Sequence, residues 1–268
     1  MSTRQELSHP RPSSSLDRLS PAWLETGRFA AAALAGALSP GSYNSATREV
    51  IQKQIYFTAW EVLPSFIAVV AFMSAVLIQI VGETARSFNL YGYALELVIR
   101  ILVLEILPLT TALLVAVRTG AAINTEVALM KIHNELEALE LVGVDPLRFE
   151  LVPRVIGGTV AVLSLTALGS IIALGLAHLI IIDLQPWSLP PGDFTRAIGK
   201  VFSVSAMLIL WCKTLAFGLA VTIIPIAEGL QTPKRLSFAP VAVRRGMVRL
   251  FLALMLIEVA ALAVTYVI

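Results

Sequence analysis

Five ionisable residues stand inside strongly apolar runs: Glu96, Arg100 and Glu105 in one, Lys213 in a second and Glu258 in a third. A charge near the middle of a bilayer costs about 2.5–3.5 kcal/mol on insertion scales, so such a group faces protein, enclosed water or a polar ligand. Two chemistries follow. The acids and bases can pair and lock helices together, or they can line a path and meet a polar group carried along it. For Glu105 and Lys213 both readings stand, with a proton relay as a variant of the second. For Arg100 and Glu258, structural pairing is the reading to expect.

Other chemistries find no residues. His9, His133 and His178 have no spacing with carboxylates or with Cys212, the single cysteine, that would make a metal site. No order of Ser, His and Asp suggests a hydrolytic triad, and no glycine-rich loop of the type G-x-x-x-x-G-K-[ST] occurs. The chain cannot hydrolyse ATP by that route, and neither catalysis nor a cofactor of its own is expected. A net charge of +2, with no basic patch interleaved with aromatics, argues against a nucleic-acid surface.

The elements that must position these charges are membrane helices. Hydrophobic residues make up 57% of the 268-residue chain and charged ones 14%, against about a quarter charged in soluble domains. A spanning helix needs about 20 apolar residues to cross roughly 30 Å of hydrocarbon. Five segments qualify, at 62–82, 91–117, 155–182, 201–227 and 250–268. The first and third carry no charge; Pro64, Pro108 and Pro225 mark sites of expected kinks. The fold class is therefore all-α, a polytopic membrane protein with five transmembrane helices preceded by an N-terminal interfacial amphipathic helix.

Residues 1–19 read as a disordered cytoplasmic tail with no cleavable signal. Residues 20–60 read as interfacial helices: Ser20 and Pro21 suit an N-cap and first turn, and a second helix is predicted over 46–60. In it Glu49 and Lys53 are spaced for an i,i+4 pair, and Val50, Ile51, Ile55 and Phe57 form a lipid-touching face. Residues 61–268 form the five-span domain.

Lys and Arg alternate between segments. Six precede the first span; Arg86 follows it; Arg118, Lys131, Arg148 and Arg154 follow the second; Arg196 and Lys200 the third; Lys234, Arg235, Arg244, Arg245 and Arg249 the fourth. Rich and poor loops place the N-terminus inside and the C-terminus outside. Trp187 and its neighbouring prolines then lie in the outer loop, at the interface belt.

The connector at 124–154 has the pattern of an ordered helix. Leu129, Ile132, Leu136 and Leu139 recur at helical spacing, Glu135, Glu137 and Glu140 make it acidic, Gly143 marks its end, and Asp145 with Pro146 starts the next helix. Such a cytoplasmic helix packs on its own spans or docks a separate protein; periodicity does not choose.

Resemblance does. EILP at 105–108, RTGAA at 118–122, Glu126, Met130, ELEALE at 135–140, GVDPLR at 143–148 and VPR at 152–154 resemble, in order and spacing, the signature of MlaE/YrbE permeases over about fifty residues. The five-span pattern extends the likeness to nearly the whole chain.

The resemblance implies the permease half of an ATP-driven ABC transporter in the bacterial inner membrane, moving a lipid, expected to be a phospholipid, to or from an MCE-domain periplasmic protein. A second permease copy and cytoplasmic ATPase subunits, which carry the ATP and Mg, complete the machine. Glu135, Leu136, Glu137, Leu139, Glu140 and Asp145, within a coupling helix at about 124–145, would meet the ATPase. Phe66, Val70, Met73, Leu77 and Ile80 of the first span, with Glu105 and Lys213, would line the lipid path. The family's arginine before that glutamate is Leu104 here, so no role transfers to it. The competing expectation is a stand-alone proton-coupled transporter, and a third is a scaffold without cargo.

Overall fold

The computed structural model describes residues 19–38, 45–88, 91–184 and 192–267, which hold ten α-helices and no strand. The tail before residue 19, Trp187 and the prolines near it fall outside the described residues. Five helical segments are long and apolar enough to cross a membrane.

The helix α1 (Leu19–Leu38) starts one residue before Ser20 and rests on the bundle through Ala33, fully buried, and Gly36, where an added Cβ would lie 2.9 Å from Val152. Leu24 and Leu34 remain exposed.

The helix α2 (Ser45–Phe88) departs from expectation. It joins the predicted 46–60 helix to the first span in one piece of 44 residues, with Pro64 inside. Proline removes one backbone bond and crowds the preceding turn, yet the helix continues through it, with Val62 and Phe66 on either side buried in the core. Before Pro64 the backbone lies on α7, where a Cβ at Gly157 would come within 2.8 Å of Gln54 Cγ. Ile51 is consequently buried and Val50 and Ile55 half-covered, while Tyr56 and Trp60, stacked at 5.8 Å, are exposed; the Phe57 side chain falls outside the described residues. Glu49 and Lys53 do pair, at 2.8 Å on the surface.

The second span is a single helical rod of five pieces: α3 (Tyr91–Ile99), a π stretch at Arg100–Ile106, α4 (Leu107–Val115), a π stretch at Ala116–Gly120 and α5 (Ala121–Ile132). The flanking residues keep right-handed helical dihedrals, so the rod does not break. The first π stretch ends beside Pro108, which has no N–H for the carbonyl of Leu104.

Beyond α5, His133 and Asn134 end the rod and α6 (Glu135–Leu141) begins; π-helical Leu147–Leu151 leads into α7 (Val152–His178) and a final π stretch, Leu179–Leu184. The short α8 (Asp193–Val201) precedes α9 (Val204–Leu230) and α10 (Ala239–Val267). The last begins eleven residues before the predicted fifth span.

The packing follows from small residues. The helices α2, α7, α9 and α10 share one core with the second span, centred on Phe66, Val103, Leu107, Leu165, Phe217 and Leu254. Lipid tails are as apolar as leucine, so close approach rather than water exclusion drives association of helices in a membrane. Between α7 and α9 the approach is reciprocal: Gly158 faces Thr222, and a Cβ on Gly218 would sit 2.9 Å from the Cα of Thr159. Backbone cannot yield there. Gly218→Leu is expected to force the two helices apart at a cost of at least about 1–3 kcal/mol, read as a lower thermal midpoint of the purified protein; an unchanged midpoint would show that this crossing tolerates separation.

Candidate functional site

Three helices bring their charges to one point. Lys213 of α9 lies 2.5 Å from Glu105 Oε2 of the second span and 2.9 Å from Glu258 Oε1 of α10. Its ammonium also donates to the carbonyl oxygen of Leu104 at 3.3 Å, the group for which Pro108 has no N–H. All three donors of the ammonium are thus used. The lysine side chain is 2% exposed and the carboxylates 15% and 11%, so the cluster is nearly dry.

The charge count is uneven, with two carboxylates facing one ammonium. Glu258 Oε2 has no hydrogen-bond partner. The Glu105–Lys213 contact, one of the two readings open to these residues, is present, and Glu258 completes it. Arg100 is a correction. It was expected to pair, yet among the described residues it has no ion-pair partner, and it opens on a cavity of about 430 Å³ between the end of α2 and the start of the second span. Turn spacing along one helix showed neither outcome, because each depends on what a different helix presents at that depth.

The first-span stripe is divided. Phe66 and Val70 are fully buried within the chain, Phe66 seated against Gly169. Met73 and Leu77 are half-covered, with Met73 Sδ 3.8 Å from Thr110 Oγ1, and Ile80 is 58% exposed. Only the Ile80 end of the stripe is exposed.

The connector forms a short helix closed at its C-terminus by a glycine turn. The single helix expected through Leu129, Ile132, Leu136 and Leu139 is broken: Asn134 adopts the left-handed conformation at φ 60°, which asparagine tolerates better than most residues. The acidic first turn of α6 suits a helix N-terminus. At its other end Gly143, at φ 81°, donates to the Glu140 carbonyl and Val144 to that of Leu139, the paired closure that glycine permits. Asp145 then accepts from the Leu147 N–H at 3.0 Å and starts the next helix, as its position foretold.

Lys234, from the α9–α10 connection, grips Asn134 and Glu137 at 2.6 and 2.5 Å. Within α6 no residue is buried. Leu136 and Leu139 are half-covered by the protein itself, whereas Leu141 and Val142, which follow Glu135, Glu137 and Glu140 in the chain, are 89% and 73% exposed. These two apolar residues were missed; their only signal was apolar character just before the terminating glycine.

A second buried ion pair ties the last turn of α9 to α10 on the α6 side. Arg249 meets Glu228, with Asn124 of α5 donating to the Ala242 carbonyl at 3.4 Å beside it. Among the described residues no group of three His, Cys, Asp or Glu could hold a metal.

Comparison with known proteins bears on the whole bundle. The family model described as "Permease MlaE" matches residues 51–264. A probable ABC transporter permease protein of Synechocystis is 29% identical over 56% of this chain and 57% of its own. One from Rickettsia prowazekii is 26% identical over 77% of each chain. The intermembrane phospholipid transport system permease protein MlaE of Haemophilus influenzae is 33% identical over 50% of this chain and 51% of its own. The chain thus spans little more than half the length of the first of these relatives.

Proposed function

The chain belongs to the MlaE permease family, and from that premise we propose that it is the membrane subunit of an ATP-driven ABC transporter that moves a phospholipid. Two copies of the permease enclose the lipid, cytoplasmic ATPase subunits bind ATP and Mg, and an MCE-domain protein on the periplasmic side of the bacterial inner membrane exchanges the cargo. The N-terminus is cytoplasmic and the C-terminus periplasmic. The name of the Haemophilus relative, a phospholipid transport permease, supports the substrate class.

The observation that carries the reading is α6. It is an acidic helix with no buried residue, held in place by Lys234, that offers Leu141 and Val142 to solvent at the end of the spans. Exposed apolar residues on an acidic helix suit docking to another protein better than self-packing. Motion of a docked ATPase would reach α9 and α10 through Lys234 and the Arg249–Glu228 pair.

Leu141→Asp with Val142→Asp is expected to reduce copurifying ATPase at least about tenfold, roughly 1.4 kcal/mol, while leaving thermal stability unchanged because both side chains are already in water. Undiminished copurification would remove α6 from the ATPase interface. Leu136 and Leu139, partly covered by the protein itself, would confound such a test with a loss of folding.

One observation favours a second reading, a proton-coupled transporter without a motor: a lysine between two acids, one oxygen of which lacks a partner. Transport abolished by an uncoupler, and indifferent to loss of the ATPase, would decide for it.

A further inference from the structure

A polar residue stands where an apolar one would pack at less cost. Asn124 of α5 is fully buried, its Nδ2 donates to the Ala242 carbonyl of α10 over a long 3.4 Å, and its Oδ1 has no hydrogen-bond partner. An unmet buried acceptor is destabilising, and one long bond to an already bonded helix carbonyl returns little. A valine of similar bulk would leave nothing unmet. The reason for the amide lies in what it touches.

Its contacts form a junction of three helices. Asn124 belongs to the rod that leads through His133 and Asn134 into α6. A Cβ on Gly246 of α10 would collide with its Nδ2 and lie 3.3 Å from the Cβ of Glu228, and a Cβ on Gly229 of α9 would lie 3.0 Å from its backbone oxygen. Both glycines let the rod approach α9 and α10 at one level. On α10 the residues at this level are Ala242, Gly246 and Arg249, spaced i, i+4 and i+7 along one stripe. The first accepts from Asn124, the second makes room for it, and the third pairs with Glu228.

The same three helices meet again at Glu105, Lys213 and Glu258. Roughly 28 Å of the second span separates the two junctions, at about 1.5 Å per residue. At the distant one every helix contributes a charge. At the one near α6 the ion pair joins α9 to α10, and the second span enters through a neutral amide. A neutral hydrogen bond between membrane helices contributes little and is made or broken cheaply. That suits a contact that changes during a working cycle, where a cluster of three charges suits a fixed one.

We propose that Asn124 is the positioning residue that passes movement of α6 into the bundle, by holding the Ala242 carbonyl beside the Glu228–Arg249 pair so that displacement of α5 shifts α10 against α9. Lys234 links α6 to the α9–α10 connection from outside; Asn124 links the rod to the same two helices from within. The proposal rests on the reading of the chain as an ATP-driven lipid permease and adds to it a residue that couples the docking helix to the spans.

The test uses the full chain with its copurifying subunits in vesicles of phosphatidylethanolamine and phosphatidylglycerol, with ATP hydrolysis and the ATP-dependent movement of an acyl-labelled phospholipid followed together. Asn124→Val is expected to hydrolyse ATP within about twofold of the wild-type rate while the lipid moved per ATP falls about tenfold, the scale of a coupling between two sites. Its thermal midpoint should be unchanged or higher, because the unmet acceptor goes with the amide. Asn124→Ala, smaller and unable to clash with α10, should show the same split and serves where the valine variant folds poorly.

Wild-type lipid movement per ATP in these variants overturns the proposal. So does a parallel fall of hydrolysis and transport with a lowered thermal midpoint, which assigns Asn124 to holding the helices together. A wild-type complex that hydrolyses ATP without moving lipid sinks the lipid-permease reading and this inference with it.

Discussion

Lys213→Met is expected to be among the most damaging single substitutions in the chain, lowering stability by about 3–5 kcal/mol, the usual effect of leaving a buried charge without its partner. The arithmetic of the site gives the reason. The ammonium is the positive charge between Glu105 and Glu258 and also serves the Leu104 carbonyl. Without it two carboxylates face one another in a dry region, and one must take up a proton or the helices must separate. Either outcome loosens the second span, α9 and α10 together.

The check is a series of thermal midpoints in detergent. The triple variant Lys213→Met, Glu105→Gln, Glu258→Gln removes the charges along with the lysine and should recover most of the lost stability, because a neutral group of similar size replaces an ion pair at little net cost. If the triple variant is as unstable as the single one, desolvated charge is not what makes Lys213 necessary. The same protein separates the two readings of the cluster. A folded triple variant that still transports assigns the charges to locking helices; one that is folded and silent assigns them to the path.

The second large effect is expected at Arg249. Replacement by leucine leaves Glu228, whose side chain is 1% exposed, without its ion-pair partner at the α6 side of the bundle. The expected loss is again about 3–5 kcal/mol. Space is tight there: a Cβ on Gly246 would lie 3.3 Å from that of Glu228, so the carboxylate cannot swing out to water without displacing α10. Arg249→Leu combined with Glu228→Gln should recover part of the loss. Limited proteolysis of the α9–α10 connection offers a second readout, with faster cleavage in the single variant than in the pair. Equal cleavage in all three proteins would show that this ion pair does not anchor the connection.

These two clusters mark the boundary of what a linear reading reaches. Glu105, Lys213 and Glu258 stand out as charges in apolar runs, and the Glu105–Lys213 contact was one of two readings available from the residues alone. That Glu258 joins them, while Arg100 remains alone, depends on the rotation and depth of helices whose partners are 108 and 45 residues apart in the chain. Periodicity reports a helix's own faces. It does not report which neighbour meets each face.

The connector shows the same division at short range. Gly143 as a terminator and Asp145 as a starter were legible because each acts within its own turn. The break at Asn134 was not, since an apolar repeat runs straight through it and the left-handed residue is decided by how α5 and α6 are pulled apart. The half-covering of Leu136 and Leu139, which shifts the exposed apolar surface to Leu141 and Val142, likewise comes from the rest of the chain.

Length and hydropathy alone determined that this protein is a five-span bundle, because each crossing must satisfy its own backbone and offer an apolar surface of bilayer thickness. Sequence also set the acidic connector and the short-range caps, which are local chemistry. Only the tertiary structure decided that α2 runs unbroken past Pro64, that one lysine serves two acids and that one arginine is left facing a cleft. Each of these depends on contacts between helices, and the energy of such a contact belongs to two distant segments at once.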